Sequence, residues 1–257
     1  MKLLITLIAV FFLGATLLGQ VEEYSFSGDY FEVDHLGNVY SISSNSVSML
    51  NDTGEVKYTF SDISLGDISS IDVSNPMKIV VFYKNSGKIF ILDNQLSLHN
   101  DPLDLFQLVE RDIQFVANSG SNNLWLYDQF SNQIIQVDYS MKITNSTGVL
   151  TGFLPYDFTP SKIIEKTEKL FVLSTKSELA VFDIFGSFLY KIILPNVSDF
   201  QIENNQVIYQ KGKTMCFYNL LTHLEECVEI PVENDAIIKK QGNRYFSLLK
   251  GDMKVFE

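Results

Sequence analysis

One phrase recurs along this chain at intervals of roughly 40 residues. An apolar strand runs into an Asp or Asn, the chain turns tightly, and a second strand leaves. The phrase ends at Asn51 after Ser-Val-Ser-Met-Leu and at Asp93 after Lys-Ile-Phe-Ile-Leu. It returns at Asp138, Asp183, Asn219 and Glu257. Asp and Asn suit the position because their side chains accept backbone N–H bonds and start turns. A period near 40 with several short strands per unit is the pattern of a β-propeller.

Each unit divides into four strands. The first strands are read at residues 30–34, 68–73, 113–117, 163–166, 200–203 and 236–239. The second strands, at 39–42, 79–83, 124–127, 170–173, 207–209 and 245–249, are the most apolar. Continuous apolar runs imply burial on both faces, the environment of a blade's central strands. The third strands carry the recurring phrase. The fourth follow it, with apolar residues at Val56, Leu98, Ile143, Phe188 and Leu224. The last unit stops after its third strand, and residues 21–26 supply a spare strand ahead of the first unit. The expected fold is therefore all-β: a six-bladed β-propeller of four-stranded antiparallel blades, the last closed by the N-terminal strand. Such closure removes free edges.

Composition agrees with this reading. Phe and Tyr number 20 and 12, while only 19% of residues are charged, a mix that suits half-buried strands. The formal net charge of -12 argues against nucleic acid as a partner and for a cationic partner or a metal ion. Lys2 followed by the apolar run to Leu18 and small Gly19 reads as an export signal, residues 1–19, cleaved after Gly19. The expected mature chain is one domain, residues 20–257, periplasmic or extracellular and monomeric, without a transmembrane segment.

These six units resemble the six-bladed β-propeller superfamily that includes NHL-repeat and TolB-like propellers. The export signal and the Asn-, Ile- and Phe-rich style are similar to uncharacterised exported proteins of Bacteroidota. The resemblance implies architecture only, since that superfamily hosts hydrolases, lyases and pure binding modules.

A second series sits just before or at the start of each first strand: Asp29, Asp67, Asp112, Lys162, Asp199 and Asp235. Inner strands of a propeller line its channel, so these side chains are expected as a ring at one channel mouth. Converging carboxylates suit Ca²⁺, which takes six to eight oxygens, or a Lys- or Arg-bearing partner. The alternative is that each Asp bonds its own turn. Residues 144–161, one of the two longest connections (the other is 100–111), lead into the same face and carry Phe153, Tyr156 and Phe158. Those rings offer contact area or fold back as a satellite core.

His35, His99 and His223 fall at different places in different units and read as solvated turn residues. The Asn-x-Ser/Thr triplets at Asn51, Asn145 and Asn196 read as chance in an Asn-rich chain. Cys216 and Cys227 flank one turn; the repeat register places Cys216 near Glu225, leaving a disulfide and two free thiols as competing outcomes. Trp125 reads as blade packing. No catalytic residue stands out. The first functional expectation is a non-enzymatic module binding a protein, peptide or extracellular ligand. The alternatives are a Ca²⁺-supported hydrolase or lyase acting in the channel, and a structural part of a cell-envelope assembly.

Overall fold

The computed structural model describes residues 19–257, apart from 109 and 121. Residues 1–18, most of the segment read as an export signal, lie outside the described residues. Strand β1 (Gln20–Ser25) leads. Blade one is β2 (Tyr30–Val33), β3 (Val39–Ser43), β4 (Ser46–Leu50) and β5 (Val56–Ser61). Blade two is β6 (Ser70–Asp72), β7 (Ile79–Tyr83), β8 (Lys88–Leu92) and β9 (Leu103–Asp104). Blade three is β10 (Ile113–Asn118), β11 (Leu124–Asp128), β12 (Gln133–Val137) and β13 (Ile143–Val149). Blade four is β14 (Pro160–Lys166), β15 (Lys169–Ser174), β16 (Glu178–Asp183) and β17 (Phe188–Ile193). Blade five is β18 (Gln201–Glu203), β19 (Gln206–Lys211), β20 (Thr214–Asn219) and β21 (Glu225–Glu229). Blade six is β22 (Ile237–Gln241), β23 (Arg244–Leu249) and β24 (Asp252–Phe256), completed by β1.

The result is a six-bladed β-propeller whose ring is closed by the N-terminal strand. Strand β1 pairs antiparallel with β24, Tyr24 facing Met253. Gly19 and Glu257 extend the pairing by exchanging both backbone bonds, at 3.0 and 3.1 Å. The Arg244 guanidinium adds a 2.9 Å ion pair to Glu22 across the same closure.

Burial of the second strands holds the blades together. Every residue of β7 and β11 is buried. Tyr40 and Ile42 of blade one pack with Ile79, Val81 and Tyr83 of blade two. Phe171 and Leu173 of blade four pack with Val207 and Tyr209 of blade five. Burying each such side chain contributes about 1.5–3 kcal/mol, so the stacked faces supply most of the ring's cohesion. Among the described residues, no helix is long and apolar enough to cross a membrane.

Two local expectations change. Leu98 makes a single bridge to Leu92, and the outer strand of blade two is β9, against Lys88 and Ile89. Pro102 cannot donate to a ladder, so pairing lapses after His99 and resumes at Leu103. In blade five, Cys216 faces Cys227, and Glu225 instead faces Tyr218. The amides of Asp93, Asp138 and Asp183 donate to Ser97, Lys142 and Ser187, four residues on, but that of Asn219 donates to Leu224. Blades one, three and four follow the shorter turn with a β-bulge, which sets Ser48 opposite Thr59, Ile135 opposite Ser146 and Ala180 opposite Lys191. Blade five reaches the same register through a turn one residue longer and an unbroken ladder, so the two cysteines meet as a disulfide.

Candidate functional site

The first strand of each blade begins on what we call the front face and ends on the back face. A cavity of about 720 Å³ runs the length of these inner strands, from Ser69 and Ser161 at the front to Thr167 and Asn204 at the back. Glu32, Asp72, Lys162, Lys166, Asp199 and Glu203 bring charge to its wall.

The six positions of the repeated series divide into two groups. Asp29, Asp67, Asp112 and Asp235 are exposed at the front rim, and none forms an ion pair with another described residue. The Asp112 carboxylate accepts a 2.7 Å bond from the Gln114 amide. Lys162 and Asp199 turn inward and bond each other. The Asp199 carboxylate also accepts from the Phe200 amide at 2.8 Å and from Lys239 at 2.9 Å. Lys239 reaches Glu32 at 2.7 Å, and Lys162 reaches the other oxygen of Glu32 at 3.6 Å. Two ammonium groups and two carboxylates thus alternate in a closed ring contributed by blades one, four, five and six.

Each charge in that ring sets the others. Burial works against the Lys162 ammonium, but Asp199 and then Glu32 outweigh it, so its pKa stands above the ordinary lysine value. Burial alone would raise Asp199; Lys162 and Lys239 together hold its carboxyl well below the usual carboxylate range. Lys162 and Asp199 are therefore both ionised at neutral pH, and the ring ties four blades across the channel.

The aromatic loop is also divided. Phe158 is buried with Leu150, Leu154 and Ile163 in the core between blades three and four. Phe153 stacks on Phe188, ring centroids 5.4 Å apart, and meets Phe182 edge-on. Tyr156 is 93% exposed, on the segment that leads into the front end of β14. Strand β13 and a 3-10 turn at Leu150–Gly152 occupy much of this connection, leaving 153–159 as its irregular part.

Among the described residues, the one group of three His, Cys, Asp or Glu side chains within ligand distance of one another is Cys216, Glu225 and Cys227. Two of those are already joined as a disulfide. His35, His99 and His223 are exposed on three different blades.

Sequence reasoning passed over Glu32, Lys239, Asp72 and Glu165. Asp72 accepts from the Asn118 amide at 2.7 Å, fixing blade two to blade three. Glu165 of blade four accepts from the Gly120 amide at 2.7 Å and from the Trp125 indole at 2.5 Å. The available signal was a charged residue inside an otherwise apolar inner strand, such as Lys239 after Ile238. Burial demands a partner for such a charge, although the sequence does not name it.

No family model matches this chain, and no curated protein matches it. Solved structures do. Virginiamycin B lyase from Staphylococcus aureus is 14% identical, with a TM-score of 0.57 over 88% of this chain and 78% of that one. BamB from Moraxella catarrhalis is 10% identical, with a TM-score of 0.56 over 94% and 98% of the two chains. A protein of unknown function from Bacteroides caccae is 13% identical, with a TM-score of 0.54 over 89% and 82%. These likenesses are of fold alone; the six blades are those of this chain's own sheets. They span a lyase, BamB and a protein of unknown function, so the fold leaves the activity to the site.

Proposed function

We propose that this protein is an exported, non-enzymatic binding module that receives a cationic protein or peptide segment on its front face. The observation that carries the reading is the rim itself. Asp29, Asp67, Asp112 and Asp235 are exposed there without ionic partners among the described residues, and Tyr156 is exposed on the loop that leads into the same face. The inner carboxylates Glu32 and Asp199 are committed to Lys162 and Lys239 instead. A rim of free carboxylates raises the local concentration of cations and steers association, and an exposed tyrosine adds contact area. Export, with removal of residues 1–19, is part of the proposal. The disulfide between Cys216 and Cys227 supports it, because such bonds persist in oxidising compartments.

The test is capture of immobilised Lys- and Arg-rich peptides by the wild type and by the variant Asp29→Asn, Asp67→Asn, Asp112→Asn, Asp235→Asn. Capture should fall with rising salt and fall again in the variant, with the melting curve unchanged. Capture indifferent to the four changes would reject this surface. A stoichiometric divalent ion in the purified protein, with a Ca²⁺-dependent melt, would move the reading toward metal-supported chemistry.

A further inference from the structure

We infer that a second pocket, on the back face between blades three and four, binds a neutral carbohydrate. The pocket holds about 640 Å³, within the range of roughly 300–1,000 Å³ common for small-ligand sites. It lies on the opposite face from the acidic rim and does not depend on the reading given to that rim.

Its lining is unusually rich in uncharged hydrogen-bonding side chains: Asn118, Asn123, Gln136, Thr144 and Asn145. These are fixed rather than loose. Gln136 is buried; its Oε1 accepts from Thr144 at 2.8 Å and Asn145 at 2.7 Å, and its Nε2 donates to Ser119 at 2.9 Å. Asn118 is only 5% exposed, and its Nδ2 donates to the Lys78 carbonyl at 2.9 Å. Its Oδ1 is buried without a hydrogen-bond partner. A buried acceptor left unpaired costs about 1–3 kcal/mol; it lies beneath the lining, so a ligand hydroxyl would pair with it once the amide turns toward the pocket. Glu165 also lines the pocket, but the Gly120 amide, the Ser119 hydroxyl and the Trp125 indole surround its carboxylate.

One apolar surface completes the site. Phe185 lines the pocket and is 67% exposed. Its amide donates to Asp183 Oδ1 at 2.9 Å, which pins the turn that carries it. Gly186 follows with φ +89°, and a Cβ there would stand 2.6 Å from the Ser146 carbonyl oxygen. Only glycine lets this blade-four turn lie directly on strand β13 of blade three, and that contact holds the ring at the pocket's edge. Amides and hydroxyls that both donate and accept, beside one flat apolar ring, match a sugar. Its hydroxyls do both in turn, and its C–H face covers an aromatic ring. Charge in the lining is mixed, Lys166 with Glu165 and Glu168, and does not select one sign of ligand.

Trp125 is the sole tryptophan, and its indole bond to Glu165 places it directly behind this lining. Its fluorescence therefore reports occupancy. The protein is titrated with maltohexaose, cellohexaose, xylohexaose, mannohexaose and chitohexaose, and with polygalacturonate as the charged counterpart, following Trp125 emission and heat. At least one neutral sugar should bind with a Kd in the millimolar range or tighter and shift the emission. Phe185→Ala and Asn145→Ala should each weaken it about tenfold with an unchanged melt. Silence of every neutral sugar at millimolar concentration, binding indifferent to both variants, or preference for polygalacturonate would each overturn the inference.

Discussion

The turn carboxylates of the back face and the rim carboxylates of the front face share a residue type and a repeat, yet they bond differently. Asp93 Oδ1 accepts from the amides of Gln95 and Ser97, at 2.8 and 2.9 Å. Asp138 and Asp183 repeat that geometry with the residues two and four places on. The Ser140 hydroxyl and the Lys142 amide hold the Asp138 carboxyl below the usual range. Burial opposes ionisation at Asp183, and the Ser187 and Phe185 amides more than offset it. Their partners lie within a few residues of sequence. At the front face the partners are remote or absent: Lys162 and Asp199 find Glu32 and Lys239 on other blades, while Asp29, Asp67 and Asp235 face solvent. Recurrence in a repeat protein thus marks two different things, a local turn requirement and a shared place on the ring.

The sharpest way to test this contrast is to unbalance the inner ring. Lys239 is 5% exposed, and Lys239→Met leaves Glu32 and Asp199 close together with one cation between them. The change should cost about 3–5 kcal/mol of unfolding free energy in urea. A loss no greater than that of a surface substitution would remove the ring from the account of stability.

A second test uses pH. The folded pKa of Asp199 is depressed, so its contribution is present above the unfolded value, about 3.9, and is lost as pH falls through the folded one. Lys162 is raised, so its contribution is complete below the ordinary lysine value and lost only as pH climbs past the folded one. Stability measured downward from neutral pH should fall in acid, and Asp199→Asn should flatten that limb. Identical acid limbs would show that other carboxylates govern it.

Smaller effects belong to the turns. Asp183→Ala removes the acceptor of two backbone N–H groups and should cost about 1 kcal/mol. Asp183→Asn should recover most of it, since the amide oxygen still accepts. Smallest of all, Asp67→Asn and Asp235→Asn should leave the urea midpoint where it is, because neither side chain bonds another described residue. A shift as large as that of Asp183→Ala would erase the distinction between the two series.

Much of this architecture was legible in the chain because it is written locally. Apolar runs such as Ile79–Tyr83 and the Asp and Asn turn starters specify strands and hairpins through neighbours in sequence, and the spare strand before Tyr30 answers the strand missing after Phe256. Where a bulge, a longer turn or a proline set the pairing, as before Cys227 and at Pro102, period alone misplaced the partner. Tertiary structure alone decided which charges met. Glu32, Lys162, Asp199 and Lys239 come from four blades, and only the circular packing of buried second strands brings their inner edges to one axis. The same holds for the back-face pocket, where Gly186 of blade four rests on Ser146 of blade three. Backbone pairing has a fixed period that residues announce one strand at a time; a side chain's partner across the ring depends on where every blade comes to rest.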